Sequence, residues 1–414
     1  MKSYDIVVIG GGPAGASAAL FLEKKGYRIA LLDQAVFPRD KVCGEFISPA
    51  ADEIFSELGV LESIEALNPT RLSGVALSAY EGSYFQVDYP DTVDGRTMTS
   101  LSVERSTLDG LMINKVRNSN IQLMEGFKVT DLLFDGGNVC GVKGHDKTKT
   151  KFSIKANIVI DGGGRNSISL RRLNLRRSSP GKGKIALAAH WQGVKGLESY
   201  CYMHISHPGY TGIAPVGHNR ANVVLVVDRN CLIGVNVEQF YMTTVLGNSL
   251  RKRILGGGAP VEKIRSVDSL AYSVKKTRCG GLLLVGDATG FIDPFTGEGI
   301  YLSLRSSQLA VGVVQNAFDK SNFSSRQLQS YDLIRKKEFR KKNILSKVLQ
   351  CLIYKPYLCN RVVATLAAQK ELSSLLVGVI GDYHPANKVV CFKYLMRLLG
   401  GMLSHRQSSF LLTK

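Results

Sequence analysis

The chain has 414 residues, of which 44% are hydrophobic and 21% are charged. This composition excludes a disordered or fibrous chain, and the length predicts more than one domain. Eight cysteines occur without a CxxC pair or a metal-ligand spacing, so we expect reduced thiols, no metal site and a cytoplasmic location. The formal net charge is +19. No apolar run reaches the roughly 18 residues that would span a bilayer.

The first 33 residues predict a βαβ unit that binds a dinucleotide. The buried strand YDIVVI runs into the turn GGGPAG, and a helix then leads to a second strand that ends at Asp33. In the pattern Gly10-x-Gly12-x-x-Gly15, the first glycine permits the tight turn and the second admits a pyrophosphate. The third allows close helix–strand packing, and Asp33 is placed to bond a ribose hydroxyl. This pattern alone does not distinguish NAD from FAD.

The next segment, FPRDKVCGEFISP (residues 37–49), has two prolines, two basic residues and Cys43. Such a mixture is typical of neither a helix nor a strand, and we interpret it as a rigid loop beside a ligand. Cys43 has two readings. It is either a thiol that exchanges a proton near neutral pH or a small buried side chain that packs against its surroundings.

Two later segments resemble the first turn, because each ends a buried strand in glycine and aspartate. They are VIDGGGRNS, which contains Asp161 and Gly162, and LLLVGDATGFIDPFTGEGI, which contains Gly286 and Asp287. Asp287 follows an apolar strand, at the edge where α/β folds bind ligands. A single nicotinamide-binding fold does not need three such turns, so the sequence favours FAD.

With these three motifs, residues 4–310 resemble the FAD-dependent oxidoreductases built like p-hydroxybenzoate hydroxylase. The resemblance is strongest to the branch of geranylgeranyl reductases, flavin-dependent halogenases and related monooxygenases. It implies an α/β fold in which a Rossmann-like FAD-binding domain is interleaved with a β-sheet substrate domain and followed by C-terminal helices. The expected FAD-binding domain is discontinuous (1–75, 99–182 and 276–334), the β-rich substrate domain covers 76–98 and 183–275, and the basic helical region covers 335–414.

The resemblance also assigns residues to the cofactor. Asp33 would contact the adenosine ribose, Val129 the adenine through its backbone, and Asp287 the ribityl chain, while the turn from Gly297 to Gly299 would face the isoalloxazine ring. The FAD contacts implied in full are Gly10, Gly12, Pro13, Ala14, Gly15, Asp33, Arg39, Lys41, Cys43, Arg105, Val129, Asp161, Gly162, Gly286, Asp287, Pro294, Gly297, Glu298, Gly299 and Ile300.

In geranylgeranyl reductases the cysteine of the loop is implicated in protonating the substrate, which makes Cys43 a candidate proton donor. Arg39 and Lys41 would lower its pKa if they point at it. On the substrate sheet, His190, His204 and Tyr210 are candidate substrate contacts, although packing or surface roles are open for each.

The chain departs from both relatives. Halogenases carry a Trp-x-Trp-x-Ile-Pro motif, whereas the single tryptophan here, Trp191, lies outside any such motif. The aromatic motif of the reductases is replaced by GYTGIAPVG. The expected reaction is therefore hydroxylation of an apolar organic substrate through a flavin C4a-hydroperoxide, with NAD(P)H as a transient reductant. The alternatives are reduction of a carbon–carbon double bond and a non-catalytic flavin-binding or electron-transfer module.

The last 80 residues contain 15 Lys or Arg and three acidic residues. A basic surface of this kind attracts anionic lipid, nucleic acid or an acidic protein, and it can also be merely solvated. We expect a helical cover over the substrate entrance, with peripheral contact to the inner face of the membrane as the alternative to simple solvation. The expected partner is a small-molecule substrate, with no specific nucleic acid. The sequence leaves the oligomeric state open.

Overall fold

The fold is known from a computed structural model, which describes residues 2–93, 95–177, 183–268, 270–291 and 294–410. The strands in this part of the chain are β1 (Lys2–Ile9), β2 (Ile29–Asp33), β3 (Phe46–Ile47), β4 (Thr70–Leu72), β5 (Gly74–Ser78), β6 (Tyr84–Asp88), β7 (Thr92–Val93), β8 (Arg96–Thr97), β9 (Ser100–Ser102), β10 (Gln122–Glu125), β11 (Lys128–Asp135), β12 (Asn138–His145), β13 (Lys151–Asp161), β14 (Arg176–Arg177), β15 (Lys184–Gln192), β16 (Tyr200–Ser206), β17 (Gly209–Pro215), β18 (Arg220–Asp228), β19 (Ala259–Pro260), β20 (Arg265–Asp268), β21 (Ser273–Val274) and β22 (Leu282–Leu284).

Helices connect and cover these strands. The α-helices are α1 (Pro13–Glu23), α2 (Ala51–Leu58), α3 (Leu61–Glu65), α4 (Arg105–Arg117), α5 (Ile168–Arg172), α6 (Val237–Leu246), α7 (Ser249–Leu255), α8 (Gly299–Asp319), α9 (Ser325–Leu352), α10 (Pro356–Ala368), α11 (Lys370–Ile380) and α12 (Phe392–Phe410).

The first sheet has the order β10–β2–β1–β13–β12–β11, with β22 beside β13. Strands β10, β2, β1, β13 and β22 are parallel, whereas β11 and β12 form an antiparallel extension. The inner parallel strands are apolar and buried, as expected of strands covered on both faces. Because the parallel strands end at one edge, the turns after β1, β2, β13 and β22 meet there.

The second sheet is mostly antiparallel, with the order β19–β15–β18–β17–β16–β5–β6 and β20 beside β15. On one face, Leu187, Trp191 and their neighbours pack against α6 and α7. The opposite face of the second sheet is directed towards the first sheet and the C-terminal helices, where Tyr210 and Val226 join a second apolar cluster. Strand β5 begins at Gly74 and already belongs to this sheet. The chain thus enters the second sheet two residues before the boundary predicted at residue 76.

Helices α9 to α12 make up the end of the chain, and α10 and α11 pack against β6. Within the described residues, no single helix is both long and apolar enough to cross a membrane. Helices α10 and α11 meet such a criterion only as a pair, and the pair is bent by 107°.

Replacement of Gly15 by alanine should destabilise the fold strongly. An ideal Cβ at Gly15 would lie 1.8 Å from the carbonyl oxygen of Gly10, so α1 would have to move off β1. Overpacking of this kind costs about 1–3 kcal/mol or more. Thermal denaturation of the variant measures the effect.

The control is Gly312→Ala in α8, where nothing lies within 4 Å of an added Cβ. Alanine favours helix over glycine by about 1 kcal/mol, so the control should melt at or above the wild-type temperature. A Gly15→Ala protein with wild-type stability would show that the close contact at β1 is not a constraint.

Candidate active site

The glycine turn after β1 is shaped by backbone contacts. Gly10 has a positive φ of +94°, and an ideal Cβ there would lie 2.8 Å from the carbonyl oxygen of Gly162. Gly15 brings α1 directly against this turn. Helix α1 begins after Gly12 without a side-chain cap, so its first N–H groups are open to an anion.

Asp33 supports the same turn from the end of β2. Its Oδ2 accepts a 2.7 Å hydrogen bond from the Gly11 amide, and its Oδ1 accepts a 2.8 Å bond from the Ala35 amide. Each carboxylate oxygen keeps further lone pairs for a ribose hydroxyl. The structure thus gives Asp33 a bracing role in addition to the ribose contact, which stays a prediction.

An ion cluster lies beside the glycine turn, and the sequence reasoning missed its centre, Asp109. The Asp109 carboxylate is fully buried and accepts two hydrogen bonds from Arg105, at 3.0 and 2.8 Å, with Arg39 Nη1 at 3.3 Å. Burial lowers the pKa of Arg105, but Asp109 and Cys43 outweigh it and raise that pKa above its ordinary value. The i, i+4 spacing of Arg105 and Asp109 in RSTLD was the available signal.

The two cations of the 37–49 loop lie beside glycine turns. The Nη2 atom of Arg39 lies 3.4 Å from an ideal Cβ on Gly12, and Lys41 Nζ lies 3.8 Å from one on Gly164. Arg105 is a cation close enough to the Cys43 thiol to interact with it electrostatically. The predicted effect of Arg39 and Lys41 on Cys43 stays a prediction.

Asp287 and Lys41 form a second charged group at the end of β22. Burial raises the pKa of Asp287, although nearby Lys41, Arg165 and Arg105 oppose this effect. Burial likewise lowers the pKa of Lys41, helped by Arg105 and opposed by Asp287. The Tyr272 hydroxyl donates a 2.6 Å bond to the Asp287 carbonyl oxygen. Asp287 is thus a half-buried acceptor in a basic setting, which suits a hydroxylated chain.

Asp161 requires a correction, because its side chain cannot touch a cofactor. It is 0% exposed even without a ligand. Its Oδ1 accepts a bond from the Gly163 amide at 2.9 Å, and its Oδ2 accepts bonds from Ser167 Oγ at 2.6 Å and the Ser169 amide at 2.9 Å. Asp161 therefore holds the turn after β13 and α5 in place. Gly162 contributes its amide to the carbonyl oxygen of Ile9 at 2.8 Å.

The turn expected to face the isoalloxazine ring leads into α8. Gly297 has a φ of +71°, and an ideal Cβ there would lie 2.7 Å from the Phe46 ring. Helix α8 begins at Gly299 without a side-chain cap, so its first amides are open. Ile300 is buried in the first core. On the far side of the cleft, Val129 is buried in β11 opposite Gly144.

The Glu298 side chain belongs to a buried ion triad with Lys342 and Asp382. Lys342 Nζ lies 3.0 Å from Glu298 Oε1 and also contacts Asp382. Burial raises the pKa of Glu298 to about 7, opposed by Lys342 and assisted by Asp382. The triad joins the turn before α8 to α9 and to the segment after α11. No local sequence pattern indicates this triad, because the partners lie 44 and 84 residues from Glu298.

A cavity of about 720 Å³ extends from the glycine turns to the second sheet. The end of the cavity at the glycine turns is lined by Pro13, Lys41, Arg105 and Asp287. Alternate residues of the sheet strands form the opposite wall, so one face of the sheet is exposed to the cavity. Those wall residues are Val75, Leu77, Cys201, Met203, Tyr210, Gly212, Val224 and Val226, with Phe295, Phe339 and Ile380 closing the sides.

The loop that carries Cys43 is fastened between the two sheets. Asn222 on β18 donates a 2.7 Å bond to the Cys43 carbonyl oxygen, and the Glu45 amide bonds the Cys43 sulfur at 3.4 Å. Glu45 has a φ of 57° and is buried. Its Oε1 accepts from the Arg105 amide at 2.9 Å, and its Oε2 lies 2.8 Å from His190 Nε2. Cys43 therefore lines the cavity on a loop with little freedom.

The structure places the predicted substrate-contact residues in different positions relative to the cavity. Tyr210 belongs to the cavity wall, with its ring edge-on to Phe295. His190 does not line the cavity, because Glu45 and Glu262 Oε1, at 2.9 Å, hold its two ring nitrogens. Burial lowers the pKa of His190, and the two carboxylates more than reverse this. Its function is to fasten the loop.

The predicted substrate contact of His204 is also wrong, because His204 lies on the opposite face of the second sheet. It stacks on Tyr202, which is part of the core against α6 and α7, and its Nδ1 lies 2.7 Å from Ser78 Oγ. Burial lowers the pKa of His204 to about 3, so the ring is neutral. A buried neutral histidine behind the sheet cannot contact a substrate in the cavity.

Comparison with known families explains this arrangement of turns. The family model described as "FAD binding domain" matches residues 3–332. The chain belongs to this FAD-binding family. It is an FAD-dependent enzyme of the oxidoreductase class, as the resemblance of its three motifs predicted.

Curated relatives are similar over most of the chain. The conditioned medium factor receptor 1 of Dictyostelium discoideum is 25% identical, covering 91% of this chain and 77% of the relative. The 1H-pyrrole-2-carbonyl peptidyl-carrier protein chlorinase of Pseudomonas fluorescens is 25% identical, covering 80% and 79%. The digeranylgeranylglycerophospholipid reductase 1 of Methanococcoides burtonii is 26% identical, covering 80% and 78%. The predicted kinship with both halogenases and geranylgeranyl reductases is thus confirmed.

A solved structure supports the fold. The flavoprotein/dehydrogenase of Cytophaga hutchinsonii superposes with a TM-score of 0.86 at 18% identity, covering 98% of this chain and 100% of the other. The predicted α/β architecture is confirmed.

FAD fits the residues of the site. The uncapped start of α1 and the Arg39 guanidinium provide an anion site at Gly12. Asp33 and Asp287 offer carboxylate acceptors at two ends of the cleft, and the open amides at the start of α8 adjoin the cavity. The individual contacts assigned from the resemblance stay predictions.

Replacement of Gly12 by valine should remove bound FAD and leave the fold intact. An ideal Cβ at Gly12 meets only Arg39 Nη2, at the ordinary contact distance of 3.4 Å, so the apoprotein tolerates it. The valine methyl groups would occupy the space of the pyrophosphate. Flavin absorbance of the purified variant should be near zero, and its far-UV circular dichroism should match the wild type. A yellow Gly12→Val protein would contradict the assignment.

Replacement of Lys342 by methionine should destabilise the protein and weaken FAD retention. The change leaves Glu298 and Asp382 buried without their cation, a loss that typically costs about 3–5 kcal/mol. The turn before α8 would also lose its attachment. Chemical denaturation and flavin release measure the two effects.

Lys341→Met is the matched control, because Lys341 is exposed and has no ion pair within the described structure. It should change stability by less than about 0.5 kcal/mol. Equal effects of the two substitutions would mean that the triad does not support the turn.

Proposed function

We propose that this enzyme is an FAD-dependent monooxygenase that hydroxylates an apolar organic substrate with electrons from NAD(P)H. The observation that carries the proposal is the continuous cavity from the FAD cleft to an apolar sheet face. A substrate held there would lie between the turn before α8 and the wall containing Met203, Tyr210 and Val226. Apolar walls exclude water, which protects reactive oxygen species from unproductive decay.

The chain's own residues would bind, orient and shield. Bound FAD supplies the redox chemistry, including the activation of oxygen after reduction. The amides at the start of α1 and the Arg39 guanidinium would neutralise the pyrophosphate, and Asp287 would fix the ribityl hydroxyls. The sequence has no second GxGxxG motif, so NAD(P)H would bind transiently rather than in a domain of its own.

Reduction of a carbon–carbon double bond is the second candidate, and the position of Cys43 favours it. Cys43 lines the cavity, and Arg105 is close enough to interact electrostatically with its thiol. When one carbon of the double bond accepts a hydride, the neighbouring carbon needs a proton, which Cys43 Sγ would donate. The Arg105 guanidinium would stabilise the thiolate that remains until water reprotonates it. The similar reductase of Methanococcoides burtonii supports this candidate.

Halogenation is not proposed, although halogenases are among the relatives. The chain lacks the Trp-x-Trp-x-Ile-Pro motif noted above, and its only tryptophan is buried behind the second sheet.

The two reactions differ in their need for oxygen and for Cys43. We expect NAD(P)H-reduced enzyme to be reoxidised by oxygen, and ¹⁸O₂ to label a product formed from an apolar metabolite extract. Cys43→Ala should keep this turnover within a few fold, because hydroxylation needs no thiol proton. Stopped-flow absorbance and mass spectrometry measure the two outcomes.

Reactions without oxygen test double-bond reduction against hydroxylation. Reoxidation of the reduced flavin by the extract under argon, with products two hydrogen atoms heavier, would replace hydroxylation by double-bond reduction. In that case Cys43→Ala should lower turnover at least tenfold while Cys43→Ser retains more of it. An enzyme that purifies without flavin and cannot be reconstituted would remove both candidates.

A further inference from the structure

The C-terminal helices carry an unusual share of the exposed apolar side chains. Of the 19 large hydrophobic residues exposed in the described part of the chain, 11 lie between Leu333 and Leu403. This segment is only about a sixth of the sequence. We call the outward side chains of α9, α10 and α12 the outer helical surface. Its apolar members are Leu333, Ile334, Ile344, Val348, Tyr357, Leu358, Phe392, Leu395, Met396, Leu399 and Leu403.

Helix α12 shows the pattern most clearly. Tyr394 faces inward, is 7% exposed and donates a 3.0 Å bond to the Leu372 carbonyl oxygen. Phe392, Leu395 and Leu399 face outward, with exposures of 78%, 50% and 42%. The outward residues follow the i, i+3, i+4, i+7 spacing of one helix face. A helix that is apolar on both sides needs a second partner beyond the protein core.

The helices of the outer helical surface are joined through α10, which contacts both α9 and α12. Arg361 of α10 bonds the Met402 carbonyl oxygen of α12, one turn from Tyr357 and Leu358. Only three residues separate the end of α9 at Leu352 from the start of α10 at Pro356. The first half of α10 therefore lies beside the end of α12, and α10 follows α9 directly.

Unpaired cations are interspersed with these apolar residues. None of the following forms an ion pair within the described structure, and all are exposed: Lys336, Lys337, Arg340, Lys341, Lys347, Lys355 and Lys393. The neighbouring acidic residues are already paired, because Glu338 of α9 lies 2.8 Å from Arg305 and Glu371 of α11 lies 2.6 Å from Arg397. The outer helical surface is therefore both apolar and positively charged.

We infer that the outer helical surface docks the enzyme on an anionic lipid bilayer. Apolar side chains among lysines and arginines are what an interfacial helix presents to headgroups and acyl chains. A second copy of the chain is a poorer occupant, because a twofold interface would bring like charges together.

The inference also deepens the proposed function, on which this step rests. The inner face of α9 borders the cavity through Lys336, Phe339, Asn343, Lys347 and Gln350, while its outer face belongs to the docking surface. Lys336 and Lys347 lie at the junction of the two faces. A lipid-like substrate with an anionic group would thus pass from the bilayer along α9 into the apolar cavity without crossing water.

Vesicle sedimentation of the full-length, FAD-loaded protein tests the docking surface independently of turnover. At 0.1 M salt, at least tenfold more protein should sediment with vesicles of 30% phosphatidylserine than with pure phosphatidylcholine, and 0.5 M salt should remove the difference. Leu395→Ser/Leu399→Ser and Lys337→Glu/Lys341→Glu should each lower binding at least fivefold. All four positions are exposed, so the fold and bound flavin should be retained.

Matched controls lie on other faces of the protein. Ile233→Ser/Val235→Ser changes apolar residues that are 75% and 42% exposed, and Lys128→Glu/Lys151→Glu makes the same change of charge. Both controls should bind like the wild type. No binding, equal binding to both vesicle types, or equal loss in the controls would overturn the inference.

A dimer in analytical ultracentrifugation that Leu395→Ser/Leu399→Ser converts to monomer would also overturn it, and would assign the surface to a second copy. Turnover of soluble substrates is measured separately. Its absence would affect the proposed reaction and leave the docking surface standing.

Discussion

The site depends on the contact between the backbones of Gly10 and Gly15, where β1 meets α1. No side chain fits there, and the turn after β13 approaches from the other side through Gly162. This close packing directs the open amides of α1 into the cleft. It also determines where Asp33, Arg39 and Asp287 lie relative to the expected cofactor. Without it, the parallel strand ends would still meet, but no space of the right shape would lie between them.

Local sequence patterns predicted the parts of the fold and site that depend on local conformation. The glycine spacing fixed the βαβ unit, and the apolar run before Asp287 placed that residue at the edge of a sheet. Asp161 is an exception, because its motif predicts a cofactor contact. Its carboxylate instead accepts hydrogen bonds from Gly163, Ser167 and Ser169. A motif identifies the turn, but it does not show which side of the turn a carboxylate faces.

The unpredicted features are contacts between distant segments. His190 lies 145 residues from its partner Glu45, and Asn222 lies 179 residues from Cys43. These bonds depend on how the second sheet docks on the first, which no periodicity reveals. They also explain the odd composition of the 37–49 loop. It needs no regular hydrogen-bond ladder of its own, because the second sheet and the Arg105 region satisfy its polar groups.

The ion triad of Glu298, Lys342 and Asp382 makes the family boundary misleading as a folding boundary. The family match ends at residue 332, before two of the three partners. A chain cut there would keep every recognised FAD motif, yet it would leave the Glu298 carboxylate without its cation at the base of the turn. The C-terminal helices are therefore part of the structure that supports the cofactor cleft. An insertion that lengthened or shifted α9 would keep this contact only if it preserved the register of Lys342.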